Sequence, residues 1–132
     1  MGEGTQACTF APQSTYVDLA AEVFALLADP TRIRIVLALR DGECAVGELA
    51  GRVGKSPTAV SQHLAKLRWA RVVTARQDGT RMLYRLVNEH VRQLVQQAVF
   101  QAEHAVDELP RHHRAPHPAA EELAAGVRGD EL

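Results

Sequence analysis

The chain has 132 residues, of which 46% are hydrophobic and 23% charged, a composition typical of one globular domain with a modest core. No apolar run approaches the ~18 residues of a membrane span, and the first residues carry neither the basic start nor the apolar segment of a secretion signal. Two cysteines argue against a disulfide framework, so we expect a cytoplasmic protein with no membrane partner.

The net charge of −1 conceals an uneven distribution of charge along the chain. Between positions 55 and 92, eight basic residues stand against two acidic ones, which gives this segment +6 and leaves −7 on the rest. The eight are Lys55, Lys66, Arg68, Arg71, Arg76, Arg81, Arg85 and Arg92. Such a segment is typical of a surface that binds a polyanion, although a solvated helix and hairpin would show the same charges.

The first half of the chain predicts a tail followed by two helices. Residues 1–15 lack periodicity and are expected to be disordered. Residues 17–28 form an amphipathic pattern, and Asp29 followed by Pro30 is typical of a helix start, which predicts a second helix over 30–40. In the first helix Leu19, Ala20, Val23, Phe24 and Leu27 form one apolar stripe. In the second we expect Ile33, Val36, Leu37 and Leu39 to be buried.

The next elements predict a helix-turn-helix with a hairpin beside it. A short helix over 46–53 is followed by a turn at Gly54 and a helix over 57–70 that starts with Ser56 and Pro57. The period then changes to two, and residues 72–76 and 81–86 flank Asp78 and Gly79 as a two-residue turn. This order predicts a mainly α winged helix-turn-helix fold, with the hairpin as the wing.

A long amphipathic helix follows from residue 88 and ends near Pro110. Its apolar stripe consists of Val91, Leu94, Val95, Ala98, Val99, Ala102, Ala105 and Val106. We expect one winged helix-turn-helix domain over 16–109, followed by a flexible, histidine-containing tail over 110–132.

The second helix of the helix-turn-helix offers polar side chains away from its buried stripe of Val60, Leu64 and Leu67. Short hydroxyl and amide groups near a helix N-terminus can reach base edges and phosphates in the major groove of DNA. The candidate DNA-binding residues are Ser56, Thr58, Ser61, Gln62, His63 and Lys66 on this helix, with Arg76 and Arg81 on the wing. An ordinary amphipathic helix with a solvated face is the competing interpretation.

Five of the six histidines lie in the last third of the chain, which suggests a metal site. His90 and His104 lie on one flank of the long helix but ~21 Å apart along it, too far for one ion. If two copies of this helix paired antiparallel, His90 of one chain would meet Glu103 and His104 of the other, and symmetry would create two such sites. His112 and His113 follow closely enough to fold back as further ligands. Surface histidines and a solvated tail remain the alternative.

Residues 17–106 resemble the ArsR–SmtB family of metal-sensing winged-helix repressors. The resemblance rests on residues 27–32, 48–50 and 60–67, and on residues 78–81 leading to 84–86. It implies a homodimer formed through the first and last helices, which binds double-stranded operator DNA when metal-free and releases it on binding metal. The regulated gene implied by the family encodes a metal efflux pump.

Subtypes of this family differ in where their metal ligands lie. The thiolate-based sensors carry a Cys-x-Cys pair where this chain has Ala45 and Gly47, and the zinc sensors carry four ligands of which Asn88 and Gln101 replace two. Residues 88–114 are instead similar to nickel- and cobalt-sensing members, whose ligand positions fall on His90, Glu103, His104, His112 and His113. More than four nitrogen and oxygen ligands suit nickel or cobalt better than tetrahedral zinc.

Several other functions stay open on the sequence. A zinc-responsive repressor, or one that answers to a thiol or redox signal through Cys8 and Cys44, would have the same fold. A small metal-binding protein without DNA function would leave the +6 segment unexplained. Nucleotide-binding fingerprints and nucleophile–base pairs are absent from the sequence, so we expect neither an enzyme nor a small organic substrate.

Overall fold

The computed structural model describes residues 10–108, which form five helices and a small three-stranded antiparallel sheet. In chain order the elements are α1 (Val17–Leu27), α2 (Pro30–Leu39), β1 (Cys44–Ala45), α3 (Val46–Val53), α4 (Pro57–Trp69), β2 (Val73–Asp78), β3 (Arg81–Leu86) and α5 (His90–Asp107). The strand order is β1-β3-β2. The predicted mainly α fold with a β-hairpin wing is confirmed.

The two predicted tails fall largely outside the described residues, as do Cys8, His112 and His113. Within the part of the predicted N-terminal tail that is described, residues 10–16 form turns: the Ser14 amide donates to the Ala11 carbonyl, and the Val17 amide donates to the Ser14 carbonyl. No helix among residues 10–108 is long and apolar enough to cross a membrane.

Side-chain caps fix where α2 and α4 begin. The Asp29 carboxylate accepts a hydrogen bond from the Arg32 amide at 3.0 Å, and the Ser56 hydroxyl accepts one from the Ala59 amide at 3.1 Å. Each cap precedes a proline at the first helical position, where the missing N–H costs nothing. Both predicted helix starts are confirmed.

Helix α2 lies between two hydrophobic clusters. Ile35 and Leu39 join a cluster with residues of α3 and α4, whereas Val36 joins Leu27 of α1 and Val95 of α5. The predicted inner face of α2 is therefore partly wrong. Ile35 is fully buried although it was not expected to be, and Ile33 and Leu37 are only half-buried. Because apolar neighbours lie on two sides of α2, one stripe at helical spacing does not describe its buried surface.

The wing differs from the prediction at its turn and at its base. Asp78 pairs with Arg81 across the hairpin, so Gly79 and Thr80 form the loop, rather than Asp78 and Gly79. Gly79 has a φ of 67°, a conformation that glycine adopts without the steric cost of a side chain. The sequence also missed β1, which pairs Cys44 with Tyr84 and Ala45 with Leu83 and thereby ties the wing to the start of α3.

The apolar stripes predicted on the first and last helices are mostly exposed in the single chain. In α1, Leu27 is buried, but Leu19, Val23 and Phe24 lie at the surface. In α5, Val95 is buried, but Val99 is 43% exposed, and Phe100, which was not part of the predicted stripe, is 51% exposed. A periodic apolar stripe that stays open to solvent on two helices is typical of an interface with another chain.

Candidate DNA-binding surface and metal ligands

Helix α4 has one face locked into the core and one polar face in solvent. Val60, Leu64 and Leu67 have no exposed surface, and burying a side chain of this size contributes about 1.5–3 kcal/mol. The side chains of Thr58, Ser61, Gln62 and Lys66 lie on the exposed face, as predicted for a helix that reads DNA. Helix α3 and the left-handed turn at Gly54 (φ 69°) precede it, which completes the helix-turn-helix.

Ser56 is exposed, but its hydroxyl already has a structural role as the cap of α4. The same hydroxyl has a second lone pair and a proton, so a cap and a phosphate contact are compatible. Ser56 therefore stays in the predicted DNA-binding set with two roles.

His63 stands apart from the other candidates because its ring packs against α2. Its Nδ1 accepts a hydrogen bond from Nε of Arg32 at 3.1 Å and lies 3.9 Å from the Asp29 carboxylate. The side chain is 23% exposed, and burial lowers the pKa of His63 below its ordinary value. The sequence placed His63 among the DNA-contacting groups, whereas here its Nδ1 faces inward.

Each of the two wing arginines lies beside an acidic residue, and Arg76 is hydrogen-bonded to its neighbour. Arg76 makes a two-pronged hydrogen bond to Glu43, and the NH2 group of Arg81 lies 3.8 Å from the Glu48 carboxylate. The bond to Arg76 lowers the pKa of Glu43, and in return Glu43 raises the pKa of Arg76. Both arginine side chains remain more than half exposed, so a phosphate can still reach them.

The predicted metal ligands on α5 do not meet within one chain. His90 is the first residue of the helix, Glu103 and His104 lie near its end, and all three are exposed. Within residues 10–108, no three His, Cys, Asp or Glu residues are grouped closely enough to hold an ion. The donor atoms present, imidazole nitrogen and carboxylate oxygen, fit nickel or cobalt in kind, but a site needs ligands from beyond this helix.

Cys44 is a poor candidate for a ligand or a redox sensor. It is 3% exposed in β1, and burial raises the pKa of its thiol, which disfavours the reactive thiolate. Arg52 opposes this shift only in part.

Comparison with known proteins places this geometry in a family. Residues 29–75 match the model of the bacterial regulatory protein, arsR family. The HTH-type transcriptional regulator KmtR of Mycobacterium tuberculosis is 61% identical over 99 residues, which cover 75% of this chain and 76% of the relative. The chain belongs to the ArsR family.

Two further similar proteins extend this result. The HTH-type transcriptional repressor SmtB of M. tuberculosis is 41% identical over 91 residues, covering 69% of this chain and 67% of SmtB. The solution structure of a homodimeric winged helix-turn-helix DNA-binding domain from Mycobacterium bovis, a possible ArsR-family regulator, has a TM-score of 0.63 and 32% identity. It covers 82% of this chain and all of that domain. This ArsR-family chain is thus related to transcriptional regulators, in agreement with the expectation that it is not an enzyme.

The residues matched to the ArsR family model run from the cap of α2 into β2. They include the whole helix-turn-helix, with His63 and its partners Asp29 and Arg32, but not His90, Glu103 or His104. From the sequence, Arg32 was part of the family resemblance without a role of its own, and Glu43 was not singled out. The position of Arg32, one turn after the capping Asp29, was a local signal that could have drawn attention to it. Glu43 and Arg76 lie 33 positions apart, so no local pattern in the sequence predicts that they pair.

Proposed function

We propose that the chain is a metal-responsive transcriptional repressor that binds operator DNA as a metal-free homodimer and releases it on binding nickel or cobalt. The observation that carries the DNA-binding part is helix α4, which has a fully buried face beneath an exposed polar one at the end of a helix-turn-helix. The +6 segment includes this helix and the wing. Relatives described as a regulator and a repressor support the same function.

The homodimer is supported by the open apolar faces of α1 and α5. Phe24 on α1 and Phe100 on α5 are both more than half exposed, at 59% and 51%. Packing these two helices against those of a second copy would remove both rings from water. A two-fold axis also places the two α4 helices, which we propose read the bases, side by side, as needed for half-sites about 34–36 Å apart on one face of DNA.

The metal part of the proposal follows from the positions of three residues on α5. With two α5 helices antiparallel across the two-fold axis, His90 at the start of one approaches Glu103 and His104 near the end of the other. His112 and His113, outside the described residues, follow closely enough to complete the ligand set. The resemblance to nickel- and cobalt-sensing members of the family supports these five ligands.

Metal and DNA would oppose each other through the dimer geometry. An ion that joins the start of one α5 to the end of the other fixes how the two helices cross, and this sets the separation of the two α4 helices. The ion lowers DNA affinity only if it binds more tightly to a dimer whose α4 helices no longer match the spacing of the half-sites. DNA must then weaken metal binding by the same factor. A metal efflux gene is the target that the family resemblance favours.

A DNA-binding titration with nickel, cobalt and zinc in parallel tests this proposal. A fluorescent duplex, chosen from promoter DNA by footprinting, is bound by the metal-free protein, and each ion is then added at equal concentration. We expect nickel or cobalt to release the duplex at lower concentration than zinc. Release by zinc first would favour the zinc-sensing alternative, and release by an oxidant with none by metal would favour the thiol-responsive one. Absence of binding to any duplex would contradict the repressor function.

A further inference from the structure

Arg32 connects three helices with hydrogen bonds. Its Nε donates to Nδ1 of His63 on α4 at 3.1 Å, and its NH1 donates to the carbonyl of Leu26 near the end of α1 at 3.0 Å. Its own backbone N–H donates to the Asp29 carboxylate that caps α2. One partly buried residue therefore links α1, which has an open apolar face, to α2 and to α4, which has the exposed polar face.

The hydrogen bond to Arg32 determines the protonation state of His63. A guanidinium has donors and no acceptor, so Nδ1 of His63 must carry the lone pair, and the neutral ring holds its proton on Nε2. Burial favours this neutral form, and the charges of Arg32, Lys66 and Lys55 act in the same direction. The Asp29 carboxylate opposes them. These four charged residues face the ring from α2, from α4 and from the turn before α4.

We propose that His63 is a positioning residue, which fixes the orientation of the reading helix through Arg32, rather than a residue that contacts bases. The inference rests on the proposed function, since it assigns His63 a role in operator recognition. It also makes Arg32 a hydrogen-bonded connection between the end of α1 and α4.

The packing of α4 explains why such a bond is needed. Val60, Leu64 and Leu67 hold the helix against the core, but apolar contacts are non-directional and permit small rotations about the helix axis. A hydrogen bond with a charged donor has a preferred direction and a narrow range of length. Ser61, Gln62 and His63 are consecutive residues of α4. A hydrogen bond that fixes the ring of His63 therefore limits rotation of α4 about its axis, and with it the direction in which Ser61 and Gln62 point.

Two amide replacements, each matching the position of one ring nitrogen, separate positioning from base contact. In His63→Asn the amide oxygen can occupy the place of Nδ1 and accept the hydrogen bond from Arg32. The shorter side chain has no atom at the place of Nε2, so a hydrogen bond from Nε2 to a base would be lost. In His63→Gln the amide sits near the place of Nε2, so a hydrogen bond to a base could persist while the acceptor for Arg32 is removed. Each variant is measured, metal-free, on the operator duplex and on a scrambled duplex of equal length, after circular dichroism has confirmed its fold.

We expect His63→Asn to keep operator affinity within about threefold of the wild type, and His63→Gln to lose about tenfold or more, as for one hydrogen bond to a charged group. Scrambled-duplex affinity should stay the same in both. Retention by Gln with loss by Asn would show that His63 binds a base and overturn the inference, as would equal behaviour of the two folded variants. If the wild type itself does not distinguish the duplexes, the proposed function fails instead.

A measurement on the wild-type protein keeps the inference testable without any variant. Nitrogen-15 NMR of the DNA-free protein at neutral pH should show His63 as the Nε2–H tautomer, with Nδ1 unprotonated and accepting a hydrogen bond. Because burial favours the neutral ring, its protonation should require a lower pH than for a free histidine. A dominant Nδ1–H tautomer, or a ring already charged at neutral pH, would overturn the positioning role whatever the DNA-binding data show.

Discussion

Arg76 on the wing binds both carboxylate oxygens of Glu43, with Nε to Oε2 at 2.8 Å and NH2 to Oε1 at 2.9 Å. This two-pronged pair joins β2 to the segment just before β1. Because the hydrogen bond lowers the pKa of Glu43, the pair stays ionised at neutral pH and is lost only as the pH falls through that lowered value. At neutral pH an arriving phosphate must therefore compete with Glu43 for Arg76.

Replacing Glu43 should strengthen binding to DNA of any sequence. Glu43→Gln removes a negative charge beside the wing and frees Arg76 to bind a phosphate. We expect affinity for operator and scrambled duplexes to rise together, and the slope of log affinity against log salt to steepen by about one. Glu48→Gln is the matched control, because it makes the same charge change beside Arg81, which lies 3.8 Å away without a hydrogen bond. An equal gain in both variants would mean that only net charge matters.

The exposed polar face of α4 should carry sequence preference. Replacing Ser61 and Gln62 with alanine should cost about 1–3 kcal/mol for each base that is no longer hydrogen-bonded and reduce the preference for operator over scrambled DNA. Gln13→Ala, at an exposed position before α1, is the control and should change neither affinity. Unchanged preference in the double variant would show that another element reads the bases.

Arg81 should contribute affinity without specificity. Arg81→Ala removes a positive charge from the start of β3, so we expect operator and scrambled duplexes to weaken by a similar factor, with a salt slope lower by about one. Arg40→Ala makes the same charge change at the end of α2 and serves as the control. A loss confined to the operator would instead indicate that Arg81 binds a base.

Cys44 should be dispensable for sensing and slow to react. The raised pKa and burial of its thiol predict that iodoacetamide labels Cys44 far more slowly in the native protein than in the unfolded chain. We expect a variant with serine at positions 8 and 44 to bind the operator and to release it with nickel as the wild type does. Loss of the nickel response in this variant, with DNA binding intact, would restore the thiol-based alternative.

The elements that the sequence predicted correctly are those that local signals define. Asp29 and Ser56 are residues that cap helix N-termini, so the starts of α2 and α4 could be predicted. Val60, Leu64 and Leu67 recur at helical spacing, so the buried face of α4 could be predicted as well. The strand β1 could not, because two residues have no periodicity and form a strand only by pairing with β3.

The candidate site divides in the same way. The polar face of α4 follows from its buried stripe, but the inward orientation of His63 depends on Arg32, 31 positions earlier, and no local pattern reports it. Periodicity predicted the apolar stripes of α1 and α5, but it shows only that a face is apolar and not which chain covers that face. The metal ligands depend on that covering chain, and so they remain predictions.

The central claim, that metal is bound across the dimer, is tested most directly by mixing chains. A heterodimer of one His90→Ala chain and one His104→Ala chain is purified with two different affinity tags, and its nickel binding is measured beside that of the two variant homodimers. If ligands are shared between chains, one of its two sites lacks both histidines and the other is intact. We predict one site of wild-type affinity in the heterodimer and none in either homodimer. Two equally weakened sites in the heterodimer would contradict the shared site.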